Sequence, residues 1–279
     1  MTSPLSSAVT HARRRPAGAA ILLAAVAILL VSLNPAQSVA QSRTAKPTVV
    51  LVHGAWADAS SWSGVVTRLQ DDGYKVIAAA NPLRSLSGDA AYVKALLETL
   101  AGPIVLVGHS YGGAVITNAA TGNPNIKALV YVNAFAPDAG ETPTELAGPD
   151  SALSADPTTV FDFVPATLPP TAATDLYLKR STVFASFATG LSADDKALVA
   201  ATQRPATIGA LNEPSGTPAW RTIPSWNLIG TEDRIIPASV QRTMAKRAGS
   251  TTTEYDEGHV GLMTDPGTVT RVIERAARH

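Results

Sequence analysis

Residues 103–113 read PIVLVGHSYGG. The apolar run from Ile104 to Val107 passes without a linker into Gly108-His109-Ser110-Tyr111-Gly112, and Gly113 and Ala114 follow. β-Branched and apolar residues suit a buried strand, while small residues after the serine let a helix start in close packing. The stretch therefore predicts a strand, a sharp turn and a helix. In that arrangement the serine occupies a strained turn and its hydroxyl stands at the carboxyl end of the sheet. The pattern G-x-S-x-G is by itself a modest signal. Its context favours a nucleophile over the plainer reading of a glycine-rich turn with a satisfied serine.

Outward from this stretch the chain alternates between short β-rich runs and helical ones. Strands are predicted at 47 onward, 74–79, 103–108, 126–134, 225–230 and 251–256. Helices are predicted over 61–73, 88–100, the stretch after Ser110, 237–249 and 266–278. Such alternation predicts an α/β fold, a mostly parallel sheet with helices on both faces. The six strand runs are accordingly expected to be apolar on both faces. Residues 138–222 break the rhythm with Pro, Thr, Ala and Ser and with apolar clusters at 160–164 and 176–178. They are too many for a plain connection. Because the alternation resumes at Ile223, they are expected to form an inserted cap over the strand ends.

Composition narrows the function classes. The chain has 279 residues, 46% hydrophobic and 16% charged, in keeping with one globular domain. Lys plus Arg equals Asp plus Glu at 22, so no nucleic-acid partner is expected. There is no cysteine, which excludes thiol chemistry and disulfides. Residues 1–40 stand apart: Arg13, Arg14 and Arg15 precede an uncharged apolar run over 17–33, and Ser38-Val39-Ala40 supplies small residues. That layout predicts a secretory signal over 1–40, cleavage after Ala40, and a secreted domain over 41–279 without stable membrane insertion. The rival is an uncleaved anchor, since such a run reaches the lower limit for spanning a bilayer. A twin-arginine route fits poorly, because Pro16-Ala17 follows the arginines.

A serine hydroxyl is a poor nucleophile until a base takes its proton. Of the five histidines, His11 leaves with the signal, His279 ends the chain, His109 sits beside the serine on a turn that should aim it elsewhere, and His53 belongs to the loop after the first strand. His259, just beyond the last predicted strand, remains. The acid that orients it should lie between serine and histidine in chain order. Asp233, after the strand SWNLIG, is the first choice and Glu232 its nearest competitor; Asp194 and Asp195 read as surface charge. The oxyanion of a tetrahedral intermediate needs fixed donors. These are expected from the backbone N–H of Tyr111 and from the loop His53-Gly54-Ala55-Trp56, with Ala55 the donor. Trp56 and Trp62 read as loop and core packing. Neither a Walker glycine loop nor a metal-ligand cluster occurs, so no metal is expected.

With these residues in place the chain resembles the α/β-hydrolase superfamily. LVHGAWADASSW, VGHSYGG and Gly258-His259 are similar to the small esterase branch that includes plant methylesterases and hydroxynitrile lyases. The resemblance implies the α/β-hydrolase fold and a cofactor-free serine hydrolase acting on a small-molecule carboxylic ester, with Ser110, Asp233 and His259 catalytic and the cap shaping the pocket. It also implies a lyase alternative, cyanohydrin cleavage, beside which stands a second alternative, non-catalytic ligand binding on the same fold. Three departures weaken the first. Val260 stands where lyases carry a lysine, and Gly54 and Tyr111 replace a threonine and a cysteine.

Overall fold

The computed structural model describes residues 46–167 and 169–279, so the expected signal over 1–40 lies outside the described residues. In chain order the strands are β1 (Thr48–Val52), β2 (Val76–Ala79), β3 (Ile104–His109), β4 (Ile126–Val132), β5 (Phe161–Val164), β6 (Asp175–Leu178), β7 (Ala206–Thr207), β8 (Ser225–Gly230) and β9 (Thr251–Tyr255). Six of them form one sheet in the order β2-β1-β3-β4-β8-β9, every neighbouring pair parallel. The other three form a small antiparallel sheet, β5-β6-β7.

The apolar runs form the central strands because both of their faces are covered. Helices Ser63–Asp71 and Pro266–Ala277 pack on each other, as do Leu86–Glu98 and Tyr111–Ala119. Between these layers every residue of β1, β3 and β8 is buried. Each buried Val, Leu or Ile contributes about 1.5–3 kcal/mol relative to exposure. The expectation of two apolar faces fails at the sheet edges. β2 is only partly buried, and β9 leaves Thr251, Thr252 and Glu254 exposed. An edge strand has a neighbour on one side only. Glu254 instead pairs with Arg242 at 2.7 Å, and charge on an edge discourages pairing with another chain. Helix 88–100 also starts earlier than expected, at Leu86, because the Ser85 side chain accepts the N–H of Gly88 as a cap.

Because the six strands are parallel, their carboxyl ends gather at one edge of the sheet, where ligands of open α/β folds bind. At the end of β3, Ser110 adopts φ +53°, a region that costs a non-glycine residue about 1–3 kcal/mol. The turn closes only because Gly112 lacks a side chain: a Cβ there would stand 2.4 Å from the Val52 carbonyl oxygen. The span 133–224, between β4 and β8, contains the expected insert over 138–222 and carries β5–β7 with short helices. Among the described residues no helix is long and apolar enough to cross a membrane.

Candidate active site

Three sequence-predicted residues meet at the carboxyl edge. Ser110 follows β3, Asp233 follows β8 and His259 follows β9. His259 Nε2 lies 2.9 Å from Ser110 Oγ, and His259 Nδ1 lies 2.9 Å from Asp233 Oδ2. All three side chains are buried. An ionised carboxylate only accepts hydrogen bonds. Nδ1–H therefore donates to Asp233, and the Nε2 lone pair faces the serine hydroxyl. Glu232, the competing acid, is exposed. Asp194 and Asp195 lie exposed in the first turn of helix Ala193–Thr202.

Asp233 is held by donors on every side. Its Oδ1 accepts the N–H groups of Ile235 at 2.8 Å and Ile236 at 2.9 Å. Its Oδ2 accepts Gln241 Nε2 at 3.0 Å and Asn133 Nδ2 at 3.1 Å. Asn133 also donates to the Gly258 carbonyl at 3.1 Å, so one amide braces both the acid and the loop of the base. The Tyr255 hydroxyl donates to Asn133 Oδ1 and thereby fixes which end of the amide faces Asp233. Burial, with the charge of Asp233 nearby, pushes the Tyr255 phenol well above its ordinary pKa, which keeps the proton in place for this bond. Asn133, Gln241 and Tyr255 escape sequence reasoning. The one available signal is a polar residue, Asn133, closing the apolar run of β4.

The two histidines set aside as bases serve the backbone. His53 Nε2 accepts the Asn81 N–H at 3.1 Å, so its Nδ1 carries the proton and donates to the Gly54 carbonyl at 2.9 Å. That carbonyl shares a peptide group with the Ala55 N–H. His109 Nε2–H donates to the His259 carbonyl at 2.9 Å, tying the loop of the base to the end of β3. Burial lowers the pKa of both rings, that of His109 well below the ordinary value, with the neighbouring His259 ring adding to the effect. Unfolded, each ring titrates near ~6.5, so below that pH the unfolded chain binds more protons than the folded one. Their contribution to stability is full above about pH 6.5 and declines as pH falls toward the folded values, at up to about 1.4 kcal/mol per pH unit per ring. A fall in melting temperature between pH 7 and pH 5 is expected; a flat melting series across that interval would contradict two buried neutral rings.

Ala55 and Tyr111 both line the cavity at Ser110. Tyr111 opens the helix Tyr111–Ala119, so its N–H has no partner within the helix. Among the described residues neither the Ala55 nor the Tyr111 amide N–H is bonded to a protein acceptor. The cavity measures about 320 Å³ and is walled by Trp56, Phe135, Phe161, Phe163, Leu176 and Ile235. No charged side chain lines it among the described residues. Trp62 is core packing as expected, buried with its ring nearly perpendicular to that of His109. Trp56 departs from expectation, because its ring belongs to the cavity wall. Among the described residues no group of three His, Asp or Glu side chains could hold a metal ion.

Comparison with known proteins adds to this geometry. The profile of the alpha/beta hydrolase family matches residues 49–272. An alpha/beta hydrolase of Aspergillus novofumigatus is 28% identical over 267 residues, 83% of this chain and 97% of its own length. An alpha-hydroxynitrile lyase of Arabidopsis thaliana is 34% identical over 111 residues, 35% of this chain and 43% of its own. The crystal structure of polyneuridine aldehyde esterase superposes with a TM-score of 0.71 at 20% identity, over 83% of this chain and 99% of the other, a likeness of fold.

Proposed function

Since the chain belongs to the alpha/beta hydrolase family, we propose that it is a serine esterase cleaving small or medium-sized, uncharged carboxylic esters through an acyl-enzyme on Ser110. The observation that carries this reading is the buried Ser110–His259–Asp233 row opening on a cavity without charge. As Ser110 Oγ attacks the ester carbonyl, His259 Nε2 takes its proton. The tetrahedral oxyanion is received by the N–H groups of Ala55 and Tyr111. His259 then returns the proton to the departing alcohol, leaving the acyl group on Ser110. Water, deprotonated in turn by His259, attacks the acyl carbonyl and releases the acid. Asp233 holds the imidazole tautomer and supports its cation. The apolar walls support an ester whose groups carry no charge, because an unpaired charge is expensive to bury. The volume lies at the small end of ligand pockets. No cofactor takes part in this scheme. Export through residues 1–40 belongs to the same proposal.

Cyanohydrin cleavage is the weaker reading. A departing cyanide needs a fixed cation, whereas Val260 follows the histidine and the cavity lining has no charge. The departure at Gly54 is built into the backbone: a Cβ there would stand 2.6 Å from Ser110 Cβ, so a threonine is not accommodated. The test is hydrolysis of p-nitrophenyl esters of increasing acyl length beside cyanide release from mandelonitrile. Turnover of short and medium chains is expected, with loss at long chains and no cyanide above the uncatalysed rate. Cyanide release without ester turnover would replace the esterase by a lyase, and silence on both substrates would favour a binding protein.

A further inference from the structure

Trp56 follows Ala55 directly and holds an unusual position. Its φ is +60°, a genuine outlier for a bulky side chain, retained only where the surroundings over-determine it. Four contacts do so, and all run to the insert between β4 and β8. The Trp56 N–H donates to the Arg204 carbonyl at 3.0 Å, and the indole Nε1–H donates to the Leu176 carbonyl at 2.8 Å. The indole stacks on Phe161, with centroids 5.8 Å apart and planes 30° apart. Its ring and that of Phe187 lie nearly perpendicular, with centroids 6.0 Å apart.

The peptide carrying the Ala55 N–H thus has two anchors. His53 holds its carbonyl side from the core, and Trp56 holds the next peptide from the insert. We infer that Trp56 is a positioning residue that aims the Ala55 amide at the oxyanion by gripping the insert, so that the insert governs transition-state stabilisation as well as pocket shape. The inference rests on the esterase reading above. A donor to an oxyanion acts only if it stands at the place where charge develops. Slack at Trp56 therefore weakens the transition state more than the bound substrate, which lowers kcat and leaves KM nearly alone.

The test compares the wild type with Trp56→Phe, which keeps an aromatic wall and removes the indole donor. Three quantities are read: kcat and KM on p-nitrophenyl acetate, the inhibition constant of a trifluoromethyl ketone, and the pH profile of kcat/KM. The ketone is the probe because its carbonyl carbon bonds to Ser110 Oγ, the serine proton passes to His259, and the carbonyl oxygen becomes the oxyanion. A fall in kcat of about tenfold is expected, with KM within about twofold, a parallel loss of ketone affinity, and an unshifted pH profile because His259 and Asp233 are untouched. Phe161→Leu, which loosens the stack from the insert side, should act in the same direction and decides the matter if Trp56→Phe does not fold. Unchanged kcat and ketone affinity with a raised KM would reduce Trp56 to a wall and overturn the inference. A wild type without Ser110-dependent ester turnover would instead overturn the esterase reading beneath it.

Discussion

Ser110→Ala is expected to lower kcat for ester hydrolysis by on the order of 10⁶ and to abolish labelling by a fluorophosphonate probe. The substitution deletes one oxygen, the atom 2.9 Å from His259 Nε2. With Oγ gone no acyl-enzyme can form, and the residual rate reflects whatever the amides of Ala55 and Tyr111 do for direct attack by water. Alanine keeps the Cβ and meets the same positive φ as serine, so the turn should survive with little change in melting temperature. Initial rates on a short p-nitrophenyl ester, together with mass spectrometric mapping of the probe, measure both effects. Turnover within tenfold of wild type, or a probe attached to another serine, would remove Ser110 from the nucleophile's role.

Asp233→Asn is expected to cut kcat by on the order of 10⁴ and also to destabilise the fold. All five partners of this carboxylate are donors: two backbone N–H groups, the amides of Asn133 and Gln241, and His259 Nδ1–H. An asparagine replaces one accepting oxygen by an NH₂. Whichever way the amide turns, donor meets donor inside the protein, a mismatch worth about 1–3 kcal/mol. Relief at the His259 side requires the imidazole to change tautomer, which presents N–H rather than a lone pair to Ser110. Glu232→Gln, one residue away but exposed, should change kcat by less than about twofold. Measured kcat values and melting temperatures of the two variants separate these outcomes; the reverse ranking would move the acid by one position.

Much of the fold is legible in the sequence because its signals are local. The runs of Val, Ile and Leu in β1, β3 and β4 announce strands buried on both faces, and those strands are buried save for Lys127 near the start of β4. β9 deceives, since Thr-Thr-Thr-Glu-Tyr has the β propensity of a strand but the polarity of an edge, and neither neighbours nor order in a sheet can be read from one segment. In the site, Ser110, Asp233 and His259 each follow a strand, so chain order and strand ends suffice to nominate them. Asn133 acquires its place only when Tyr255, 122 residues further on, lies against it. Gln241 sits on an amphipathic helix where a glutamine ordinarily faces water, and only the turn after β8 brings it to Asp233. Trp56 is ambiguous for the same reason: a tryptophan after a strand packs against something, and the sequence leaves open whether that something is core or cavity.

The row of Ser110 and His259 joins residues 149 positions apart, and that separation sets when the site can first exist. A chain growing from its amino end presents the serine and its glycines well before residue 259 emerges, and Asp233 only 26 residues before it. Until β9 docks on β8 and brings His259 to Nε2 distance, the serine is an ordinary alcohol. On the proposed reading the polypeptide is thus latent until β9 joins the sheet beside β8. Fragments clipped before Tyr255 keep Ser110 but lack the imidazole that stands 2.9 Å from it. On the proposed esterase reading, ester hydrolysis is therefore a sensitive reporter of completed folding.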